Sequence, residues 1–137
     1  MYILNKQDTK FKVCNVIRKF LLENETLKLL VGNRIYPIMA VEGVGDGDFI
    51  IYQRESYGQS RTKQGIYEQS CSVFIACVSS DYDTSQEIAE QVYLTLQDVN
   101  RYIDEETGIV INKIDMVDST EDYAADKYIQ VLKFQID

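Results

Sequence analysis

Three oxygen-bearing side chains at alternating positions are the first candidates for chemistry in this sequence. Asp81, Asp83 and Ser85 have the spacing that opens a calcium-binding loop. Such a loop also needs glycine at its sixth position and a bidentate Glu at its twelfth, and those positions hold Gln86 and Val92. We therefore predict no metal site here, and instead a helix start whose acidic residues favour the helix dipole.

Histidine is absent from the 137 residues of the chain. Its absence excludes Ser-His-Asp and Cys-His catalysis and any metal held by imidazole. No local pattern marks a general acid and a general base. We therefore expect no catalytic residue, no cofactor and no enzymatic activity. An enzyme that uses carboxylates and a metal is the least favoured alternative, and it predicts that added metal shifts the melting temperature.

A glycine-rich segment at residues 43–47 alternates glycine with valine and aspartate. It lacks the Lys-Ser/Thr pair of a phosphate-binding loop and precedes a strand pattern instead of a helix, so we interpret it as a mobile acidic loop. Asp46 and Asp48 are either solvated or part of a weak cation site with Asp81 or Asp83.

The net charge, the cysteine count and the lack of visible targeting segments exclude further classes of protein. The 14 Lys and Arg residues against 22 Asp and Glu residues give a net charge of −8. This disfavours tight binding of nucleic acid, because that binding needs clustered basic residues. No secretory signal or membrane-spanning run is visible, and Cys14, Cys71 and Cys77 are too few for a disulfide framework. We expect a protein of the reducing cytoplasm with no membrane partner.

The spacing of apolar residues predicts three helical segments. The first spans Phe11 to Glu23, and the second, which is short, follows Asn24 and ends at Gly32. The third begins with Thr84-Ser85-Gln86-Glu87, which matches the capping box, and it ends near Asn100. The first and third are the two main helices.

Alternation of apolar and polar residues predicts the strands. They are an edge strand that includes Pro37, a short strand at 49–52, a long strand at 66–78 that is apolar on both faces, and two closing strands beginning at Ile109 and Tyr128. The polar stretches 54–65 and 119–125 are expected to be an exposed hairpin loop or arm and a turn. Together these elements predict one α+β domain over residues 1–137, with a mostly antiparallel sheet of about four to five strands backed by two main helices.

Two features of the sequence are candidates for interaction with other proteins. They are the basic loop that carries Arg54, Arg61 and Lys63, and an excess of tyrosine. The loop either docks on an acidic surface or only adds solubility. The ten tyrosines are either interface residues, in which tyrosine is enriched, or ordinary half-buried strand residues. The predicted interface residues are Arg54, Tyr57, Arg61, Lys63, Tyr67, Phe74, Tyr82, Asp46 and Asp48.

The order of these pieces resembles the small phage tail-completion or tail-terminator proteins, which include minor tail proteins that join head to tail. The segment Leu27-Lys28-Leu29-Leu30-Val31-Gly32-Asn33-Arg34-Ile35-Tyr36-Pro37 is similar to that family's signature. The strand Phe49-Ile50-Ile51-Tyr52, the strand end Val73-Phe74-Ile75-Ala76-Cys77 and the helix start Ser85-Gln86-Glu87-Ile88-Ala89 follow in the family's order. Asp48 stands where the family usually has proline.

The resemblance implies a structural protein of the virion tail, at the head–tail junction, assembled in the host cytoplasm. Identical subunits would form a ring, commonly a hexamer, that caps the tail tube, ends tube polymerisation and joins the tail to the head connector. Its partners would be the tail-tube protein and the head connector protein, with DNA only in transit through an acidic lumen. The alternative is a small acidic adaptor or inhibitor that binds a basic partner.

Overall fold

Three helices and six strands build the described part of the protein, which in this computed structural model comprises residues 9–39, 47–63 and 65–137, with residues 62 and 65–68 described by their backbone alone. The helices are α1 (Val13–Leu22), α2 (Glu25–Val31) and α3 (Tyr82–Gln97). The strands are β1 (Ile35–Pro37), β2 (Phe49–Thr62), β3 (Gly65–Ser79), β4 (Asn100–Ile103), β5 (Val110–Ala124) and β6 (Lys127–Ile136).

All six strands belong to one sheet with the order β1-β2-β3-β6-β5-β4. The short strand β1 is parallel to β2, and every other neighbouring pair is antiparallel. Pro37 lies in the edge strand β1, as predicted, because a proline cannot donate to a ladder on both sides. Two long hairpins, β2–β3 and β5–β6, supply most of the sheet.

The predicted fold class, an α+β sheet of about four to five strands backed by two main helices, is wrong. Strand accounts for 48% of the structure, and the six strands curl into a half-barrel accompanied by three helices. One source of the error is β4, because residues 100–103 pair with β5 although the sequence pattern predicts no strand between the end of the third helix and Ile109. That helix ends at Gln97.

Two polar stretches account for the other strand residues that the sequence pattern does not predict. Residues 54–62 continue β2 and residues 119–124 continue β5, each in register with its hairpin partner. Most of their side chains are exposed, so the inside–outside alternation that reveals a strand is absent from the sequence. Backbone hydrogen bonds to β3 and β6 hold them in place. The prediction of an exposed hairpin arm at 54–65 is right in position, but the arm is strand almost to its tip.

Capping residues set the limits of α2 and the start of α3. The Asn24 side chain accepts a hydrogen bond from the Leu27 backbone N–H at 2.9 Å, which confirms it as the cap of α2. Gly32 ends that helix with φ of +60°, a conformation that glycine adopts easily. The cap of α3 is Asp81 and not Thr84: its carboxylate accepts from the Thr84 backbone N–H at 2.9 Å, so the helix begins one turn earlier than the capping-box pattern predicts.

The hydrophobic core lies between the helices and one face of the sheet. On β3, alternate residues Val73, Ile75 and Cys77 are fully buried. They join the buried stripes of α1 and α3, which are Val13, Val16, Ile17, Leu21, Ile88, Val92 and Leu96. We call this helix-covered side of the sheet the inner face and the opposite side the outer face. None of the helices found in the described residues is long and apolar enough to cross a bilayer.

Candidate functional site

The outer face of the sheet is apolar in its centre although it lies opposite the helices. Paired residues of neighbouring antiparallel strands point to the same face. Ala76 of β3 pairs with Ile51 of β2 and with Val131 of β6, and Phe74 lies two residues along β3 from Ala76. All four side chains are half-buried. These residues, Ile51, Phe74, Ala76 and Val131, form what we call the outer patch.

A shallow depression of about 320 Å³ lies over the outer patch, bordered also by Gln53 and Ile38. Ile38 has φ of +66°, which is strained for a β-branched residue, and its side chain is 65% exposed. Its backbone N–H donates to the Tyr52 carbonyl at 2.8 Å. Strain of this kind persists where the surrounding structure enforces it, and it is concentrated at functional sites.

One ion pair bounds the outer patch. The Lys133 ammonium lies 2.9 Å from the Glu55 carboxylate, so the pair reaches from β6 to β2 across the intervening β3. Lys133 also pairs in register with Phe74. Both charged side chains are about a third exposed, and such a pair adds little stability. The outer patch therefore has an apolar centre and a polar boundary, which is the anatomy of a protein interface.

Of the predicted interface residues, Arg54 and Tyr57 lie midway along the β2–β3 hairpin, and three others lie near its tip. The Arg54 guanidinium donates to the Phe11 carbonyl at 3.0 Å and lies 5.1 Å from the centre of the Phe11 ring. Tyr57 packs edge-on against the same ring at 5.1 Å and donates a hydrogen bond to the Gln69 side chain. Both residues therefore make contacts within the chain.

Arg61 and Lys63 lie at the exposed tip of the hairpin. Tyr67 belongs to β3 near the same tip, and its side chain lies outside the described part of the structure. The basic residues are therefore displayed on the longest projection of the sheet.

The remaining candidates lie elsewhere. Phe74 is in the outer patch, and Asp48 precedes β2 at the end of the sheet opposite the hairpin tip. Asp46 falls outside the described residues. Next to Asp48, a Cβ on Gly47 would lie 2.7 Å from the Arg34 Nε, which itself donates to the Asp48 carbonyl at 2.7 Å. A side chain at position 47 would therefore displace the Arg34 side chain from this hydrogen bond.

Tyr82 connects α3 to the β5–β6 hairpin. Its hydroxyl donates to a Glu121 oxygen at 2.7 Å, and this hydrogen bond raises the pKa of Tyr82. Its ring packs against Tyr128 at 5.4 Å, which in turn packs against Tyr123 at 4.9 Å. The predicted interface residues therefore do not form one site, and several of them stabilise the subunit itself.

The titratable groups do not assemble into a reactive centre. Burial raises the pKa of the Cys14 and Cys71 thiols to about 11 and raises that of Cys77 still further, so none is a thiolate near neutral pH. Hydrogen bonds from Thr84 lower the pKa of Asp81, the helix cap. Across residues 9–39, 47–63 and 65–137, no group of three or more Cys, Asp or Glu side chains is placed to hold a metal ion.

Sequence reasoning found the double-sided character of β3 but not the outer patch as a unit. The signal that identifies it is on β6, where Ile129 and Val131 alternate with the buried Leu132 and Phe134. Both faces of that strand are therefore apolar, as they are on β3. Two neighbouring strands with this pattern predict a sheet that is covered on both sides.

Comparison with known proteins finds a likeness in fold. No protein-family model matches the sequence, and no curated protein matches it either. The fold is similar to that of a chain in a solved structure described as "Virion of native gene transfer agent (GTA) particle". The TM-score is 0.73 at 15% sequence identity, over 88% of this chain and 89% of that chain. The two chains therefore share a fold over nearly their whole lengths.

Proposed function

We propose that this protein is a structural subunit of a phage-like virion. In this proposal, identical copies form a ring, commonly a hexamer, at the head–tail junction. The ring caps the tail tube, ends its polymerisation and joins the tail to the head connector. Two independent lines support it: the fold is shared with a chain of a virion particle, and the order of sequence segments resembles the tail-terminator proteins.

The outer patch is the observation that carries the proposal. An antiparallel sheet with one face in water normally places polar residues on that face. Here Ile51, Phe74, Ala76 and Val131 line the uncovered side, and none of the described helices contributes to that lining. Exposed contiguous apolar surface marks a place where another protein binds. A structural subunit that is incomplete without its neighbours requires such a surface.

Charge supports the same proposal. The chain carries a net charge of −8, and β5 alone presents exposed carboxylates from Asp115, Asp118 and Asp122. An acidic wall repels the phosphates of DNA, so DNA in transit through a ring of such subunits would not adhere to it. A neutral or basic lumen, calculated from an assembled ring, would contradict this part of the proposal.

Assembly of the purified protein is the direct test. We expect light scattering after size-exclusion chromatography to give the mass of a closed oligomer, and negative-stain images to show rings, either at high concentration or when tail-tube protein is added. A strict monomer that binds neither tube nor connector would contradict the proposal. A one-to-one complex with a basic partner would instead support the acidic adaptor.

Two matched variants connect that assembly to the outer patch. Phe74→Glu places a charge in the centre of the patch, and we expect it to abolish binding to neighbours while the circular dichroism spectrum is unchanged. Leu29→Glu makes the same kind of change at a side chain of α2 that is 88% exposed, on the helix side of the molecule. If both variants assemble normally, the outer patch is not an assembly surface.

A further inference from the structure

Each side of the sheet leaves a long stretch of strand edge unpaired among the described residues. β1 pairs only with residues 50–52 of β2, so the edge of residues 53–62 is open. On the other side, β4 pairs only with residues 110–113 of β5, so the edge of residues 114–124 is open. The two open edges are nearly equal in length, about 30 Å at 3.3 Å per residue. Open edges of this length recruit other strands.

The two open edges carry opposite charge. The charged residues on and next to the β2 edge are mostly basic: Arg54, Glu55, Arg61 and Lys63. Those on the β5 edge are acidic, namely Asp115, Asp118, Glu121 and Asp122, and the basic residue next to that edge, Lys113, forms an ion pair with Asp115 at 3.3 Å. Of the basic residues, Arg61 and Lys63 are exposed at the hairpin tip. Complementary charge favours the approach of one edge to the other and disfavours pairing of either edge with its own kind.

The positions of the two open edges along the strand direction fit a closed barrel with tilted strands. Register through β3 and β6 places Ser119, the middle of the open β5 edge, level with Tyr52 of β2. The middle of the open β2 edge lies near Tyr57, which pairs with Cys71, four residues along β3 from Ile75, or about 13 Å at 3.3 Å per residue. Four strand spacings separate successive copies of β2, or about 19 Å. Matching the two edges therefore tilts the strands by roughly 35°, at the lower end of the range for closed barrels.

We propose that neighbouring copies of this chain join through these edges, with residues 53–62 of one copy pairing antiparallel with residues 114–124 of the next. This rests on the proposed ring and names a contact between its subunits that is separate from the outer patch. The pairing brings Arg61 to the level of Asp115 and Arg54 to the level of Asp122, and it leaves β1 and β4 beyond the two ends of the contact. The two surfaces differ, so each copy uses both, and a rotation that closes gives a ring.

Charge reversal tests the contact. The first variant is Arg61→Glu, and the second is Asp115→Lys. We expect each variant alone to raise the protein concentration needed for half-assembly by at least about tenfold, because like charges then face each other. An equimolar mixture of the two variants is expected to assemble again, as rings in which the copies alternate.

A matched single reversal serves as the control. Lys28→Glu makes the same kind of change at an exposed residue on the helix side, and we expect it to assemble as the unmodified protein does. Normal rings from either edge variant, or failure of the mixture to assemble, would overturn the edge contact and leave the proposed function standing. An unmodified protein that forms no rings, even with tail-tube protein, would overturn both.

Discussion

The two faces of the sheet have similar apolar residues but opposite surroundings. On the inner face, Val73 and Ile75 are completely buried under α1 and α3. On the outer face, Phe74 and Ala76 of the same strand are half-exposed around an open depression. Burial inside the subunit stabilises the fold whether or not a partner is present, whereas apolar surface left open adds its hydrophobic free energy only when another protein covers it. The inner face therefore stabilises the folded subunit, whereas the outer face contributes stability only on assembly.

The strongest way to break this comparison is to truncate one phenylalanine on each face. Phe134 on the inner face is 1% exposed, so we expect Phe134→Ala to cost about 3–5 kcal/mol of unfolding free energy. Phe74→Ala on the outer face is expected to cost about 1 kcal/mol or less in the monomer. Urea denaturation at low protein concentration measures both. Equal losses would show that the outer face contributes to folding as much as the inner face does.

The ion pairs on the two sides of the sheet also differ in burial. On the helix side, the Lys19 ammonium lies 2.7 Å from Asp104, whose side chain is only 3% exposed. The hydrogen bond from Lys19 lowers the pKa of Asp104 to about 2, with the Thr107 hydroxyl and backbone N–H also contributing. A carboxyl whose pKa is lower in the folded state stabilises the protein above its unfolded pKa of about 3.9. This contribution is lost as the pH falls from about 4 towards 2.

Asp104→Asn is therefore expected to lower the urea midpoint at pH 7 and to weaken the dependence of that midpoint on pH between 4 and 2. Glu55→Gln removes the more exposed ion pair to Lys133 on the outer face, and at pH 7 it should cost less than about 1 kcal/mol. If Asp104→Asn retains the full acid sensitivity of the unmodified protein, Asp104 does not contribute as its surroundings indicate.

A small effect is expected at the tip of the β5–β6 hairpin, which belongs to neither face. Ala125 and Asp126 both have positive φ, +53° and +62°, in a two-residue turn that favours Asn-Gly. The double substitution Ala125→Asn and Asp126→Gly is expected to raise the unfolding free energy by about 1 kcal/mol. Thermal melting measures the gain, and ring formation should be unchanged. Altered assembly would mean that this tip contacts a neighbour.

Local signals in the sequence predicted the parts of the fold that depend on near neighbours. The Asn24 cap, the positive φ of Gly32 and the edge position of Pro37 are all confirmed. Each follows from the covalent structure or hydrogen-bonding capacity of one residue type, so a single residue is enough to identify it. The apolar stripe of α1 and the two-faced β3 are confirmed for a similar reason, since their periodicity is visible over a few residues.

Polar strands were missed because their pairing energy comes from distant residues. Nothing within 119–124 indicates that these residues pair with β6, and nothing within 100–103 indicates that they form a strand paired with β5. The backbone supplies these hydrogen bonds irrespective of side chain. A strand exposed on both faces therefore has no hydrophobic alternation from which to predict it.

The sequence by itself determined three features: the exclusion of histidine-based catalysis, the net negative charge, and the helix and strand ends that individual residues set. These features depend on composition and on short-range geometry. Only the tertiary structure decided that Ile51, Phe74, Ala76 and Val131 form one patch, and that a basic edge and an acidic edge lie on opposite sides of the sheet. Those arrangements depend on the order and register of six strands. Strand order is fixed by packing the helices against one face, which no local segment encodes alone.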